Sequence, residues 1–380
     1  MEQTEADSIM LIGVPKEIKA DENRVAITAA GVQDFVQAGH QVIIEKAAGV
    51  ASGIPDREYM DAGARITETT AGVWAADMIV KVKEPLPAEY DFLKEGQILF
   101  TYLHLARELE LTKVLLAKKV VAIAYETIQL DDGSLPLLTP MSVVAGRMAG
   151  QIGAHLLEKT FGGKGILLGG VPGVLPAQVT IIGGGIVGTN AARIARGMGA
   201  DVTIIEKSGR RLQELDNLFG CQVKTLKANS HNIASSVART DLLIGAVLIP
   251  GARAPRLVTE EMVKSMASGS VIVDVSIDQG GIIDTIDRVT THSAPTYVKY
   301  GVIHYSVANM PGAVARTSTY ALTNVTLGYA LELANKGYIQ AMQENPALGK
   351  GLNVIRGNLT CRAVAQSLNL TCTPLAEILG

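Results

Sequence analysis

Three glycines spaced as G-x-G-x-x-G, Gly183, Gly185 and Gly188, follow the apolar run "VTII" and open a segment, "TNAARIARGMGA", that reads as a helix. A second apolar run, "VTIIE", ends in Glu206, close to the roughly 20-residue spacing of a dinucleotide-binding strand–turn–helix–strand unit. The chemistry follows from the residue types. Gly183 permits a tight turn, Gly185 removes a Cβ from the path of a pyrophosphate, and Gly188 lets helix and strand pack closely. The helix N-terminus offers unpaired N–H groups and partial positive charge to phosphates. Glu206 would accept hydrogen bonds from both ribose hydroxyls and repel a 2′-phosphate, which favours NAD over NADP. Lys207, Arg210 and Arg211 weigh the other way, since each could pair with a phosphate.

Polar residues gather where other apolar runs end. After "VIVDV" come Ser276, Ile277, Asp278 and Gln279; "LLIGAVL" leads into Ile249-Pro250-Gly251; "VIHYS" leads into Val307, Ala308 and Asn309. In open α/β sheets such loops line the ligand crevice, so these three are expected around a nicotinamide. In the first half, Arg24 follows the run at 10–15, Lys83 closes the run at 78–83, and His104 lies near the end of the run at 96–105. An arginine can hold a carboxylate bidentately, a lysine can polarise a carbonyl oxygen, and a histidine can move a proton near neutral pH. Facing a nicotinamide, the trio suits redox chemistry on a small 2-oxo or 2-amino acid. Plainer readings stand beside these. Arg24 could sit in an ion pair, and Lys81 and Lys83 alternate, so that one faces solvent. His104 could be a hydrogen-bonded core histidine, and Asp278 a turn-former before two glycines.

The elements that must carry these residues alternate between strand-like and helix-like along 380 residues, enough for two domains. Candidate strands lie at 10–15, 41–46, 78–83, 96–105 and 120–128, then near 179–182, 202–206, 221–226, 241–247, 270–275 and 302–306. Helix-like segments are expected at 28–39, 106–119, about 140–159 and 317–337, the last crossing back to the first domain, and a surface hairpin at 162–173. Hydrophobic residues make up 48% but aromatics only 4%, a composition suited to closely packed helices on a parallel sheet. The formal charge of −3 without a basic block argues against nucleic acid. No apolar run reaches membrane-spanning length, and the acidic start "MEQTEADSI" lacks a signal-peptide core, so a disordered extension ahead of Met10 is expected. The three cysteines, 221, 361 and 372, lack metal-site spacing and are expected to be buried thiols in a reducing cytoplasm. No metal site is expected.

The motifs "GVPKEIKADENRVAIT", "VKVKEP", "GQILFTYLHL", "TPMSVVAGRMA", "TIIGGGIVGTNAARIA", "DLLIGAVLIPGARAPRLV", "SVIVDVSIDQGG" and "VANMPGAVARTSTYALTN" resemble the alanine dehydrogenase/pyridine nucleotide transhydrogenase family, from about Met10 to the C-terminus. The resemblance implies two doubly wound α/β domains. One is a Rossmann NAD-binding domain at 138–315; the other is a discontinuous substrate domain at 1–137 and 316–380. It implies a reversible reaction of L-alanine, NAD and water to pyruvate, NADH and ammonium, in a cytoplasmic homohexamer. By the same resemblance, His104 and Asp278 match catalytic positions and Arg24 and Lys83 hold substrate. Ser142 matches a pyrophosphate contact, Arg211 falls among the cofactor contacts, and Val247, Leu248, Ile277, Val307 and Asn309 match positions around the nicotinamide. Glu206 replaces the family's usual Asp, and Ala315 stands where a proline is usual. Two other functions stay open: a non-catalytic NAD sensor, which could dispense with Arg24, Lys83 and His104, and the NAD-binding subunit of a transhydrogenase.

Overall fold

Short runs of Val, Ile, Leu and Ala that are buried on both faces make strands of a covered parallel sheet. In the computed structural model, which describes residues 9–248 and 254–379, those strands are β1 (Leu11–Val14), β2 (Gln41–Glu45), β3 (Arg65–Thr67), β4 (Met78–Val80), β5 (Ile98–Thr101) and β6 (Val121–Ala124). Then follow β7 (Gln178–Ile182), β8 (Asp201–Glu206), β9 (Lys224–Lys227), β10 (Leu242–Gly245), β11 (Val271–Asp274), β12 (Thr296–Lys299) and β13 (Val302–Tyr305), and finally β14 (Leu352–Ile355) and β15 (Asn358–Leu359). The chain divides into two compact units, Met1–Met141 with Gly312–Gly380, and Ser142–Pro311.

The first unit holds one sheet in the order β15-β14-β6-β5-β4-β1-β2-β3. Strands β1 to β6 pair in parallel, with Ile12 opposite both Val42 and Met78; β14 and β15 add an antiparallel edge. The order 3-2-1-4-5-6 places the topological switch between β1 and β4, so a crevice forms at their carboxyl ends. Thr28 caps the helix Ala29–Gln37 by accepting from Gly31 N–H, which ends the loop after β1 at a fixed point. Val73, Trp74, Leu99, Leu103, Leu111 and Leu115 pack in one buried cluster behind the sheet.

The second unit repeats the plan: β12-β13-β11-β10-β7-β8-β9, parallel except for β12. Its switch lies between β7 and β10. The helix Ile186–Gly197 follows β7 directly, and Ser208 caps Gly209–Phe219 after β8.

Several expectations need correction. The strand expected at 221–226 begins only at Lys224, because Gly220, at φ 55°, turns the chain and Gly220–Gln222 form a 3-10 turn. The strand expected at 96–105 stops at Thr101, and His104 stands beyond it in a left-handed conformation. The 162–173 hairpin reduces to one bridge, Val171 to Val174. Strands β3, β12, β14 and β15 had no forecast, being two to four residues long or, in β12, half-exposed. Lys81 does not face solvent: it is 1% exposed. Cys221 is exposed and Cys361 and Cys372 are half-buried, so the thiols are not core residues. The helix expected at 317–337 runs Ala315–Glu344, with its break at Gly337. The extension at 1–8 and the Ile249-Pro250-Gly251 loop lie outside the described residues.

Candidate functional site

In the first unit, β1, β4 and β5 are neighbours, and the loops at their carboxyl ends bring Arg24, Lys83 and His104 into one electropositive cluster. Lys83 feels the charge of Arg24, and His104 feels both. Buried carboxylates organise this cluster. Glu22 takes the Nε and Nη2 edge of Arg24 at 2.7 and 2.5 Å, and Nη1 points to the Met141 sulfur at 3.0 Å. The ion-pair reading of Arg24 is therefore part of its setting. Burial opposes the charge on Arg24, but Glu22 outweighs it and holds the pKa above the usual value.

Glu17, in the loop after β1, accepts from the N–H groups of Val82 (2.6 Å) and Lys83 (3.3 Å), tying that loop to the one after β4. The Thr101 hydroxyl donates to the Lys83 carbonyl at 3.0 Å, tying β4 to β5. Behind them Lys81 sits between Glu89 (2.8 Å) and Glu17 (3.3 Å). Tyr102 is buried, donates to the Leu137 carbonyl at 2.5 Å, and lays its ring parallel to His104, centroids 5.9 Å apart.

Two pKa shifts follow. Burial, and then the charge on Arg24, lower the Lys83 pKa. Crowding by surrounding protein, followed by the charges of Lys83, Lys19, Arg107 and Arg24, pushes His104 below the ordinary histidine value. His104 keeps an exposed surface, so water moderates the first cause, while the four cations act in the same direction. His104 is thus a neutral imidazole near pH 7, not a core histidine.

In the second unit, the glycine turn has the form its spacing implies. Gly183, at φ +104°, has no room for a Cβ: it would lie 2.4 Å from the Ala246 carbonyl oxygen, across the switch between β7 and β10. A Cβ on Gly188 would lie 1.9 Å from the Gly183 oxygen. A Cβ on Gly185 would meet nothing within 4 Å, and no side chain caps the helix that starts there. The space beside Gly185 and the uncapped helix start fit a pyrophosphate. Glu206 is half-buried at the end of β8 and accepts from Gly184 N–H and Ser208 N–H, each at 2.8 Å. Arg211 is a support of the turn: it donates to the Gly184 carbonyl (2.7 Å), Thr189 Oγ1 (2.8 Å) and Glu214 (2.7 Å).

The remaining positions also fall at strand ends. Val247 N–H donates to Ser276 Oγ at 3.0 Å, joining the loops after β10 and β11, and Leu248 beside it is exposed. Ile277 is buried and Asp278 exposed in the turn Val275–Gln279. Buried Asp274 accepts from Ser276 N–H and Ile282 N–H and sets that turn. Val307 is buried; Asn309 has φ 57°, and its carbonyl oxygen lies 3.3 Å from His292 Nε2. Ser142 is half-buried in the first turn of the helix Thr139–Leu156. Sequence reasoning missed Glu17, Glu22, Glu89 and Asp274. Only Glu22, two residues before an arginine, carried a local signal.

Family models for the N-terminal and C-terminal domains of alanine dehydrogenase/PNT match residues 13–145 and 149–362. The chain belongs to that family. It is 67% identical over 372 residues to an alanine dehydrogenase of Methanococcus maripaludis, covering 98% of this chain and 100% of the relative. Among solved structures it is similar to an L-alanine dehydrogenase, with TM-score 0.92 and 52% identity over 95% of this chain and 99% of that one. A transhydrogenase from Sinorhizobium meliloti is more distant, with TM-score 0.78 and 25% identity over 93% and 99% of the two chains. In this family the second unit is a Rossmann-type domain suited to a nicotinamide dinucleotide. Among the described residues, no helix is long and apolar enough to cross a membrane, and no group of three or more His, Cys, Asp or Glu side chains could hold a metal ion.

Proposed function

We propose that this chain catalyses the NAD-linked, reversible oxidative deamination of L-alanine to pyruvate and ammonium. The observation that carries the reading is the convergence of Arg24, Lys83 and His104 at the carboxyl ends of three adjacent strands, in a family member whose second unit has the dinucleotide turn. Arg24, held by Glu22, takes the substrate carboxylate. Lys83 hydrogen-bonds the oxygen at C2, and its depressed pKa makes it a readier proton donor to that oxygen than an ordinary lysine.

NAD, when bound, supplies the acceptor for the hydride at C2 of alanine. The chain's own work is with protons. Once the imine has formed, water must add to C2, and neutral His104 takes the proton from that water. The carbinolamine then expels ammonia as the carbonyl forms under Lys83. In the reductive direction His104, charged, returns the proton to the departing hydroxyl. Burial and the surrounding cations keep His104 neutral in the free enzyme, and the substrate carboxylate offsets the second of these, which favours the charged form. Asp278, exposed after β11, is the second catalytic residue of this reading.

NAD is favoured over NADP because the Glu206 carboxylate is fixed at the end of β8, while Arg211 is committed to Gly184, Thr189 and Glu214. Gly183, Gly185, Gly188 and Ser142 would hold the pyrophosphate, and Val247, Leu248, Ile277, Val307 and Asn309 the nicotinamide. A homohexamer in the cytoplasm completes the reading. Exposed Leu167, Val174 and Leu175 offer apolar surface for self-association, and the three free cysteines suit a reducing compartment.

The test is absorbance at 340 nm with L-alanine and NAD or NADP at alkaline pH. Wild-type protein is expected to reduce NAD, and His104→Ala to lose turnover while still binding NADH. Near-wild-type turnover in that variant removes His104 from the mechanism. Hydride exchange with NADP on a partner, without pyruvate reduction, would favour the transhydrogenase reading.

A further inference from the structure

Glu126 stands outside the trio of Arg24, Lys83 and His104. It lies in the 3-10 turn Tyr125–Thr127 after β6, and its half-buried carboxylate reaches back to the loop after β5. Oε1 accepts from His104 N–H at 2.6 Å and from Leu103 N–H at 3.2 Å, and Oε2 also lies 3.2 Å from Leu103 N. Two successive backbone donors thus converge on one carboxylate, at the residue placed in the chemistry.

His104 is in the left-handed region, φ 51° and ψ 31°, which a residue with a Cβ adopts at a cost. Glycine would relieve that strain but cannot supply an imidazole. Such a conformation persists when its surroundings over-determine it. Here the surroundings are the Glu126 carboxylate on the backbone and the Tyr102 ring lying 8° from parallel with the imidazole. A carboxylate accepting from N–H groups makes stronger hydrogen bonds than a neutral acceptor. Keeping that carboxylate here has its own cost. Burial raises the Glu126 pKa, while the donors at His104 and Leu103 and the charge on Lys83 pull it down.

We propose that Glu126 is a positioning residue for His104: by pinning the N–H groups of Leu103 and His104 it holds the left-handed turn from which the imidazole reaches the substrate. The inference rests on the assignment of His104 to proton transfer. Glu126 acts through His104, touching neither substrate nor cofactor.

The test is a double-mutant cycle read as kcat for pyruvate reduction at saturating NADH, with NADH binding by fluorescence as the control for folding. Glu126→Ala is expected to lower kcat on the order of 100-fold, the lower end of what acid–base help provides, with the NADH Kd within about twofold of wild type. Glu126→Gln, which keeps one acceptor oxygen, should lose only about tenfold or less, a partial rescue. In the His104→Ala background either substitution should change the residual rate by less than about threefold, because residues acting as a unit are not additive.

Equal losses in both backgrounds, or wild-type kcat in Glu126→Ala, overturn the proposal. Should Glu126→Ala not fold, Glu126→Gln carries the same cycle. If His104→Ala itself keeps wild-type turnover, the assignment of His104 fails. If His104→Ala loses most of its turnover and Glu126→Ala lowers the residual rate as much as it lowers wild type, only the role of Glu126 fails.

Discussion

Two glycines of the same turn should answer alanine in opposite ways. A Cβ on Gly188 would fall 1.9 Å from the Gly183 carbonyl oxygen and 3.2 Å from Ile181 Cγ2, in a buried helix–strand contact. The obstructing atom is backbone, so the helix Ile186–Gly197 must shift off β7. Overpacking of this kind costs about 1–3 kcal/mol. At Gly185 nothing lies within 4 Å of the added Cβ, and φ −68°, ψ −160° is open to any residue. Alanine there loses a little as an N-cap and gains a little from a stiffer unfolded chain, so stability should stay within about 1 kcal/mol of wild type. The new methyl instead occupies the space assigned to the pyrophosphate. If the ligand meets it as a core meets an extra methylene, the loss is again about 1–3 kcal/mol, or roughly a 5- to 150-fold rise in NADH Kd. Urea unfolding measures the first quantity and fluorescence titration with NADH the second. Gly185→Ala should unfold like wild type and bind NADH poorly, whereas Gly188→Ala should lose stability. Wild-type NADH affinity in a folded Gly185→Ala protein would refute the cradle assigned to this turn.

Two further outcomes concern buried charge. Lys81→Met removes the only cation found in contact with both Glu17 and Glu89 among the described residues, and breaking a buried ion pair in this way costs about 3–5 kcal/mol. Urea denaturation should show it, with partial recovery on adding Glu89→Gln, and a loss below about 1 kcal/mol would mean that Lys81 does not neutralise those carboxylates. His304 is fully buried, its Nδ1 2.9 Å from the Val302 carbonyl oxygen and its Nε2 2.8 Å from Thr285 Oγ1, and burial holds its pKa below the ordinary value. The unfolded chain therefore takes up a proton near pH 6.5 that the folded chain refuses. Stability is complete above that pH and falls on acidification toward the folded pKa, by up to about 1.4 kcal/mol per pH unit. Melting curves of wild type and His304→Gln from pH 7.5 to 5 should converge as wild type weakens, and a pH-independent gap between them would count against the argument.

What the sequence makes visible is where the chain changes direction. Gly183 and Gly188 announce themselves because a turn and a close contact each exclude a Cβ, and that exclusion is written in the residue type. Arg24, Lys83 and His104 are visible because a parallel sheet delivers polar residues at the carboxyl ends of apolar runs. Even the left-handed break at Gly337 shows as the end of a helical pattern. Short edge strands carry no such mark. β15 is two residues long, and its pairing with β14 depends on tertiary placement far from its own neighbours.

The carboxylates of the first unit were hidden for a different reason. Glu17 and Glu126 bind backbone N–H groups 65 and 22 positions away, and a backbone donor leaves no trace in the identity of its residue. Read along the chain, each is one more acidic residue among 37. Lys81 shows the same limit from the other side. Its alternation with Lys83 implied opposite fates, yet β4 ends at Val80, the strand period no longer applies, and Lys81 is buried while Lys83 is half-buried. The consequence reaches the chemistry: Glu17 and Thr101 both hold the Lys83 backbone, so substitutions at those two positions should displace Lys83 while leaving its side chain unaltered. Glu22 makes the same point for Arg24, whose guanidinium is oriented by a neighbour two residues back.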